Sequence, residues 1–236
     1  MPIKLLTLLI QIRSIMTSFV VYSHGFGVKK DDRGLFTDIA QHLPNAHHIM
    51  FDYNKIDEHT NTLVACPLDK QAEKLNDKVA EARRDHPSAV IDIIAHSQGC
   101  VAAAIAKPSG VRKVIFLAPP AQFLGLEKRE IYAMRPGTAT EKDGTLRMPR
   151  RDGSTTIIRD DYWQSREGVM PIELYNQLAK LTNLTIITAT NDEVLTNTDF
   201  TGLSNQVSLT RQSANHDFTG DDRQVLIETI SQLINS

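Results

Sequence analysis

Ser97, Asp192 and His216 are the residues whose types and settings could together do chemistry. A serine hydroxyl is a poor nucleophile unless a base takes its proton. An imidazole suits that task because it titrates near neutrality. A carboxylate must then hold the imidazole tautomer and stabilise the imidazolium. Ser97 lies in Ala95-His96-Ser97-Gln98-Gly99, between a β-branched run and a stretch of small apolar residues. A serine on such a tight strand-to-helix turn has an exposed hydroxyl, and small residues are required two positions to either side. Ala95 and Gly99 supply them, with Ala95 standing where the G-x-S-x-G pattern has glycine. An ordinary helix-capping serine is the alternative, and the small neighbours and preceding strand argue against it. Asp192 lies in Thr190-Asn191-Asp192-Glu193 and His216 in Asn215-His216-Asp217-Phe218. Taken singly, each reads as a solvated loop residue. Together, each follows an expected strand, in the order Ser, Asp, His. Glu193 and Asp217 are rival carboxylates, with Asp217 ranked last because it adjoins the histidine.

The same turn offers an anion-binding group. A new helix presents unpaired N-terminal amides, so the Gln98 N–H can point at an oxyanion. A second donor is expected from His24-Gly25-Phe26-Gly27, where glycines allow a sharp turn close to a ligand. The Phe26 N–H is the candidate. A plain glycine turn would explain this segment equally well on its own.

These residues need a scaffold in which strands end side by side. Strands are expected at Ser18–Tyr22, Ala46–Phe51, Ala89–Ala95, Lys113–Ala118, Leu184–Ala189 and Gln206–Leu209. Helices are expected at Gly34–Leu43, Leu68–Asp85, Val101–Lys107, from Pro171 onward, and at Asp221–Asn235. Continuous β-branched runs suit strands covered on both faces. The alternation predicts an α/β fold, a mostly parallel central sheet with helices on both faces. Ligands bind beyond the strand carboxyl ends of such a sheet. Residues 119–170 break the pattern. There Leu146–Arg150 and Thr155–Arg159 flank Arg151-Asp152-Gly153-Ser154, which reads as a β-hairpin. This stretch is expected to be an insertion above the sheet, without a strand–helix unit.

Composition narrows the partners. The chain has 236 residues and a net charge of −2, enough for one domain and without the basic excess that holds nucleic acid. Its eight histidines show no metal-ligand spacing such as H-E-x-x-H. Neither Cys66 nor Cys100 belongs to a C-x-x-C pair; Cys100 reads as a small buried hydrophobe, and this usage fits a reducing cytoplasm. Residues 1–15 are apolar, but Gln11 and Arg13 interrupt them and no A-x-A site follows. The run is too short for a membrane span. Either Met16 is the natural start or the leader adds an edge element.

On these motifs the chain resembles the α/β-hydrolase superfamily, specifically small esterase- and lipase-like members with a lid. The resemblance covers nearly all of Ser18–Ser236; the leader lacks the family's first two antiparallel strands, implying a trimmed sheet. It implies Ser97 as nucleophile, His216 as base, Asp192 as acid, and the Phe26 and Gln98 amides as oxyanion hole. The expected activity is hydrolysis of small-molecule carboxylic esters with short-to-medium acyl chains, with no metal and no cofactor. Phe123, Leu124, Tyr162 and Trp163 are candidate substrate walls, joined by His24 and Gly25; packing within the lid would equally explain the aromatics. A thioesterase, amidase or acyltransferase could use the same residues. A low-turnover binding protein on this scaffold is the non-enzymatic alternative. A dehalogenase is disfavoured, because that chemistry needs a carboxylate at position 97. Oligomeric state is not legible.

Overall fold

The first strand is apolar on both sides, and the sheet is built around that fact. The computed structural model describes residues 17–150, 152–195 and 198–236. The expected leader, Met16 and the turn residue Arg151 lie outside them. Strand β1 (Ser18–Ser23) sends Phe19 and Val21 into one hydrophobic cluster and Val20 and Tyr22 into another. Successive side chains of a strand face opposite ways, so such a strand must be covered twice. The chain continues through α1 (Leu35–Gln41), β2 (Ala46–Ile49), β3 (Lys55–Asp57), β4 (Thr62–Val64), α2 (Leu68–Asp85) and β5 (Val90–His96). Next come α3 (Gln98–Ala106), β6 (Lys113–Leu117), α4 (Leu126–Ala133), β7 (Ala139–Thr140), β8 (Leu146–Pro149) and β9 (Thr155–Ile158). It closes with α5 (Asp160–Gln164), α6 (Pro171–Ala179), β10 (Asn183–Ala189), β11 (Ser208–Gln212) and α7 (Asp221–Asn235).

The central sheet has the order β11-β10-β6-β5-β1-β2, and every neighbouring pair is parallel. Leu75 and Val79 of α2, with Tyr175 and Leu178 of α6, pack on one face. Phe36 and Ile39 of α1, with Leu226 and Ile230 of α7, pack on the other. The expected doubly covered parallel sheet is therefore present. Most boundaries hold to within two residues, and two move by three. Helix α3 begins at Gln98 rather than Val101, directly after Ser97. Strand β11 runs Ser208–Gln212 rather than Gln206–Leu209. As an edge strand with mostly exposed residues it lacks the apolar run that marks its neighbours.

A second sheet, ordered β3-β4-β9-β8-β7, stands beside the first. Strands β8 and β9 pair antiparallel, from Leu146 opposite Ile158 to Pro149 opposite Thr155. Leu146, Met148 and Ile158 cover Ala65, Tyr162 and Trp163. Strands β3 and β4 come from well before residue 119, and at three residues each they leave no periodic signal. Contrary to expectation, helices also form between Pro119 and Pro171. Helix α4 buries none of its residues, so no buried stripe announces it.

Chain order places the functional crevice. From β1 the chain moves outward to β2, then returns past β1 to β5 and continues through β6, β10 and β11. Strands β1 and β5 therefore flank the switch point, where their carboxyl ends leave a ligand crevice. Their register sets Ser23 opposite Ala95, so the loop after β1 and the turn after β5 adjoin. The first turn of α3 lies directly on that loop. A Cβ at Gly99 would fall on the Ser23 carbonyl and 2.7 Å from the His24 carbonyl oxygen. Among the described residues, no helix is long and apolar enough to cross a membrane.

In an ordinary helix, Gly→Ala would stabilise by about 1 kcal/mol. Here Gly99→Ala is expected to destabilise by about 1–3 kcal/mol, because two backbone segments must separate. Urea denaturation measures this; an unchanged or raised midpoint would contradict the close approach.

Candidate active site

Ser97 sits between β5 and α3 with φ 52° and ψ −124°. Side chains disfavour that region, so the surroundings must impose it. The Ser97 N–H donates to the Leu117 carbonyl of β6 at 2.9 Å, and the Ser97 carbonyl accepts from the Cys100 N–H at 3.0 Å. Gly25 presses from the other side, where a Cβ would lie 3.3 Å from the Ser97 Cβ. Backbone held on both sides leaves the hydroxyl facing the crevice.

His216 follows β11 and Asp192 follows β10, and the sheet brings both to Ser97. His216 Nδ1–H donates to Asp192 Oδ2 at 2.7 Å. That leaves Nε2 as acceptor for the Ser97 hydroxyl, with Oγ at 3.0 Å. Asp192 Oδ1 accepts the Val194 and Leu195 N–H groups at 2.8 and 2.7 Å. Burial pushes the Asp192 carboxyl upward in pKa, but the His216 bond and these amides outweigh it and hold it below the usual carboxylate range. Of the rival carboxylates, Glu193 accepts the His216 backbone N–H at 3.1 Å. Asp217 instead pairs with Arg33 at 2.9 Å.

A second buried His–Asp pair stands behind the first, and nothing in the local sequence pattern signals it. His96 Nδ1 lies 2.9 Å from Asp32 Oδ2, and His96 Nε2 lies 3.0 Å from the His216 carbonyl oxygen. A carbonyl can only accept, so Nε2 carries a proton. Asp32 Oδ2 also accepts the Gly25 N–H at 2.8 Å. Burial raises the Asp32 pKa, but the charge and hydrogen bond of His96 and the Gly25 amide bring it down to about 2. The ionised carboxylate takes a proton from Nδ1 as well, so His96 is an imidazolium. Burial works against that charge, and Asp32 more than compensates, raising the His96 pKa. The pair thus ties the Gly25 loop, the residue before Ser97 and the backbone of His216 into one unit.

His24 and Gly25 serve the loop after β1. His24 Nε2 accepts the Tyr53 N–H at 3.0 Å, and Nδ1–H donates to the Gly25 carbonyl at 2.9 Å. Burial lowers the His24 pKa and keeps it neutral. Among the described residues, neither the Phe26 nor the Gln98 backbone N–H donates to a protein acceptor. The Gln98 side chain is fully engaged: its Oε1 accepts from Tyr162 at 2.6 Å and from Arg166 at 3.0 Å. Phe123 and Leu124 are half-buried; the Arg166 guanidinium stacks 3.6 Å over Phe123 and donates to the Leu124 carbonyl at 3.0 Å. Tyr162 and Trp163 are fully buried in the cluster beneath the second sheet.

Ligand atoms of His96, His216 and Asp217 lie within 4.8 Å of one another. Their atoms already hold Asp32, the His216 carbonyl, Asp192, Ser97 and Arg33, so a metal taking one atom from each residue would break three of these contacts. What the arrangement can do without one is move a proton from a hydroxyl beside two unengaged amides.

No protein-family model and no curated protein sequence matches the chain. Solved structures do. The esterase domain of a Rhodothermus marinus protein is 15% identical with a TM-score of 0.64, over 94% of this chain and 88% of that one. Est1E from Butyrivibrio proteoclasticus, with ferulic acid bound, is 14% identical with a TM-score of 0.66, over 95% and 90%. A peroxisomal α/β-hydrolase of Saccharomyces cerevisiae is 13% identical with a TM-score of 0.59, over 95% and 79%. The chain therefore has the α/β-hydrolase fold.

The Asp32–His96 pair generates a pH signature. The folded Asp32 pKa lies below its ordinary value of 3.8, so it contributes stability above about pH 4 and loses it as pH falls toward 2. The shift corresponds to roughly 2 kcal/mol. The raised His96 pKa acts at the other end: its contribution is present below 6.5 and lost as pH rises through the folded value. Asp32→Asn should cost about 3–5 kcal/mol near neutrality by leaving a buried imidazolium unpaired. Its deficit against the parent should shrink between pH 4 and 2. A deficit independent of pH, read from urea unfolding, would contradict this pairing.

Proposed function

We propose that this protein hydrolyses carboxylic esters through an acyl-enzyme on Ser97. The observation that carries this is the unbroken hydrogen-bond chain from Ser97 Oγ through His216 to Asp192, at 3.0 and 2.7 Å. Unengaged Phe26 and Gln98 amides beside it support an oxyanion hole. The esterases among the structural neighbours favour the same reaction.

Ser97 Oγ attacks the ester carbonyl carbon while His216 Nε2 takes the hydroxyl proton. The carbonyl oxygen becomes an oxyanion held by the Phe26 and Gln98 N–H groups. The tetrahedral intermediate expels the alcohol, which receives the proton from His216, and the acyl group remains on Ser97. Water then attacks the acyl carbon, loses its proton to His216, and Ser97 leaves as the restored hydroxyl with the free acid. Asp192 stays ionised throughout and stabilises the imidazolium formed in each half. Residues 119–170 act as the cap that bounds the substrate, consistent with short-to-medium acyl chains. A thioester or an amide could enter the same sequence, with only the leaving group changed.

Purified protein should release p-nitrophenol from p-nitrophenyl acetate and butyrate faster than from the octanoate. Ser97→Ala should lower kcat by a factor on the order of 10⁴ or more, and Asp192→Asn by a comparable factor. Equal release by parent and Ser97→Ala would overturn the mechanism.

A further inference from the structure

Around the candidate oxyanion loop, positive charges lie on aromatic faces without negative partners. Arg166 stacks 3.6 Å over Phe123, and Arg135 lies 4.1 Å over Tyr132. Lys128 lies 5.5 Å over Tyr132, and Arg150 lies 5.9 Å over Phe26. Three of the rings pack together, with Phe26 5.7 Å from Tyr132 and 5.3 Å from the buried Tyr162. Among the described residues none of these four cations has a salt bridge, whereas neighbouring Arg129 and Arg147 pair with Asp160 and Glu141. Other nearby acids are committed: Glu167 to the Leu126 N–H and Asp152 to Ser154.

Arg166 is the centre of this group. Its residue is only 6% exposed, and a buried guanidinium without a carboxylate is costly. Nε donates to the Leu124 carbonyl, and Nη1 donates to Gln98 Oε1 and Tyr162. Among the described residues Nη2 has no protein acceptor, and it is not among the buried unpaired atoms, so it opens onto accessible space. It does so one residue from Ser97, through Gln98. Arg150 adds charge at the loop after β1, with its guanidinium carbon 3.1 Å from where a Gly27 Cβ would stand. Burial and the neighbouring charges of Arg166 and Arg135 lower the Lys128 pKa, a sign that like charges crowd here.

We infer that the substrate is an ester bearing a carboxylate, received by Arg166 Nη2 with Lys128, Arg135 and Arg150 supplying the surrounding field. This rests on the esterase reading of the same site and names its substrate class. One free guanidinium nitrogen amid aromatic walls suits a planar monoanion better than a phosphate, whose several oxygens would need several donors.

Two matched pairs test it: p-nitrophenyl hemiglutarate against p-nitrophenyl methyl glutarate, and 4-acetoxybenzoate against its methyl ester. At least one carboxylate ester should exceed its neutral partner in kcat/KM by about tenfold to a hundredfold, the range of a charge-assisted hydrogen bond. Arg166→Gln should bring that ratio to about one, and added salt should reduce it. Lys128→Gln, at a less buried position, should reduce the ratio in part and serves if Arg166→Gln does not fold. Binding is read separately as the rise in Tm given by benzoate and not by benzamide, in parent and variants. Hydrolysis of both members of each pair without preference would overturn the inference, as would phosphate raising Tm more than benzoate. Benzoate binding that depends on Arg166, with no hydrolysis of p-nitrophenyl acetate, would uphold the anion site and overturn the esterase reading instead.

Discussion

The backbone of Ser97 is held where side chains resist being held, at φ 52° and ψ −124°. Such a conformation costs of order 1–3 kcal/mol and persists only where the surroundings over-determine it. Much of the molecule can be understood as that over-determination. The parallel pairing of β1 with β5 and of β5 with β6 grips the strand leading into the turn. The Leu117 carbonyl takes the Ser97 N–H, and Gly99 lets the helix that follows settle onto the loop after β1. Remove the tight turn and the hydroxyl no longer faces the crevice; remove its supports and the turn relaxes.

Electrostatics ties the same parts together a second time. The buried Asp32 carboxylate receives both the Gly25 amide and the His96 imidazolium. His96 in turn donates to the backbone of His216, whose own side chain reaches Ser97. Both candidate oxyanion segments, the nucleophile turn and the base loop are thereby linked through one ion pair. A buried pair of this kind is weak ground for net stability. Its role here is register: it fixes where the His216 backbone lies relative to Ser97, while Glu193 holds the same backbone from its N–H side.

The sheet was legible because its inner strands are apolar on both faces and helices such as Leu68–Asp85 carry long amphipathic stripes. Ser97 and Asp192 could be selected because each follows such a strand, and His216 because it completes the order Ser, Asp, His after a weaker one; the fold does bring the three within hydrogen-bond distance. What sequence could not show depends on distant partners or weak patterns. Asp32 and His96 are 64 positions apart, and Arg166 meets Gln98 across 68. No local rule links such residues. Strands β3 and β4 are three residues long, and α4 has no fully buried residue, so burial leaves no periodic imprint on them. The role of the aromatic cluster likewise required the structure: Trp163 lies inside the packing beneath the second sheet, whereas Phe26 and Phe123 carry cations on their faces.

The central claim is that Ser97 is the nucleophile activated through His216. The most direct measurement is intact-protein and peptide mass spectrometry after brief exposure to a fluorophosphonate, which reacts with an activated serine and is retained. One adduct per chain on the peptide containing Ser97, absent from Ser97→Ala and strongly slowed in His216→Ala, is the predicted result. An unlabelled parent, or label on another residue while Ser97 stays free, would contradict the account.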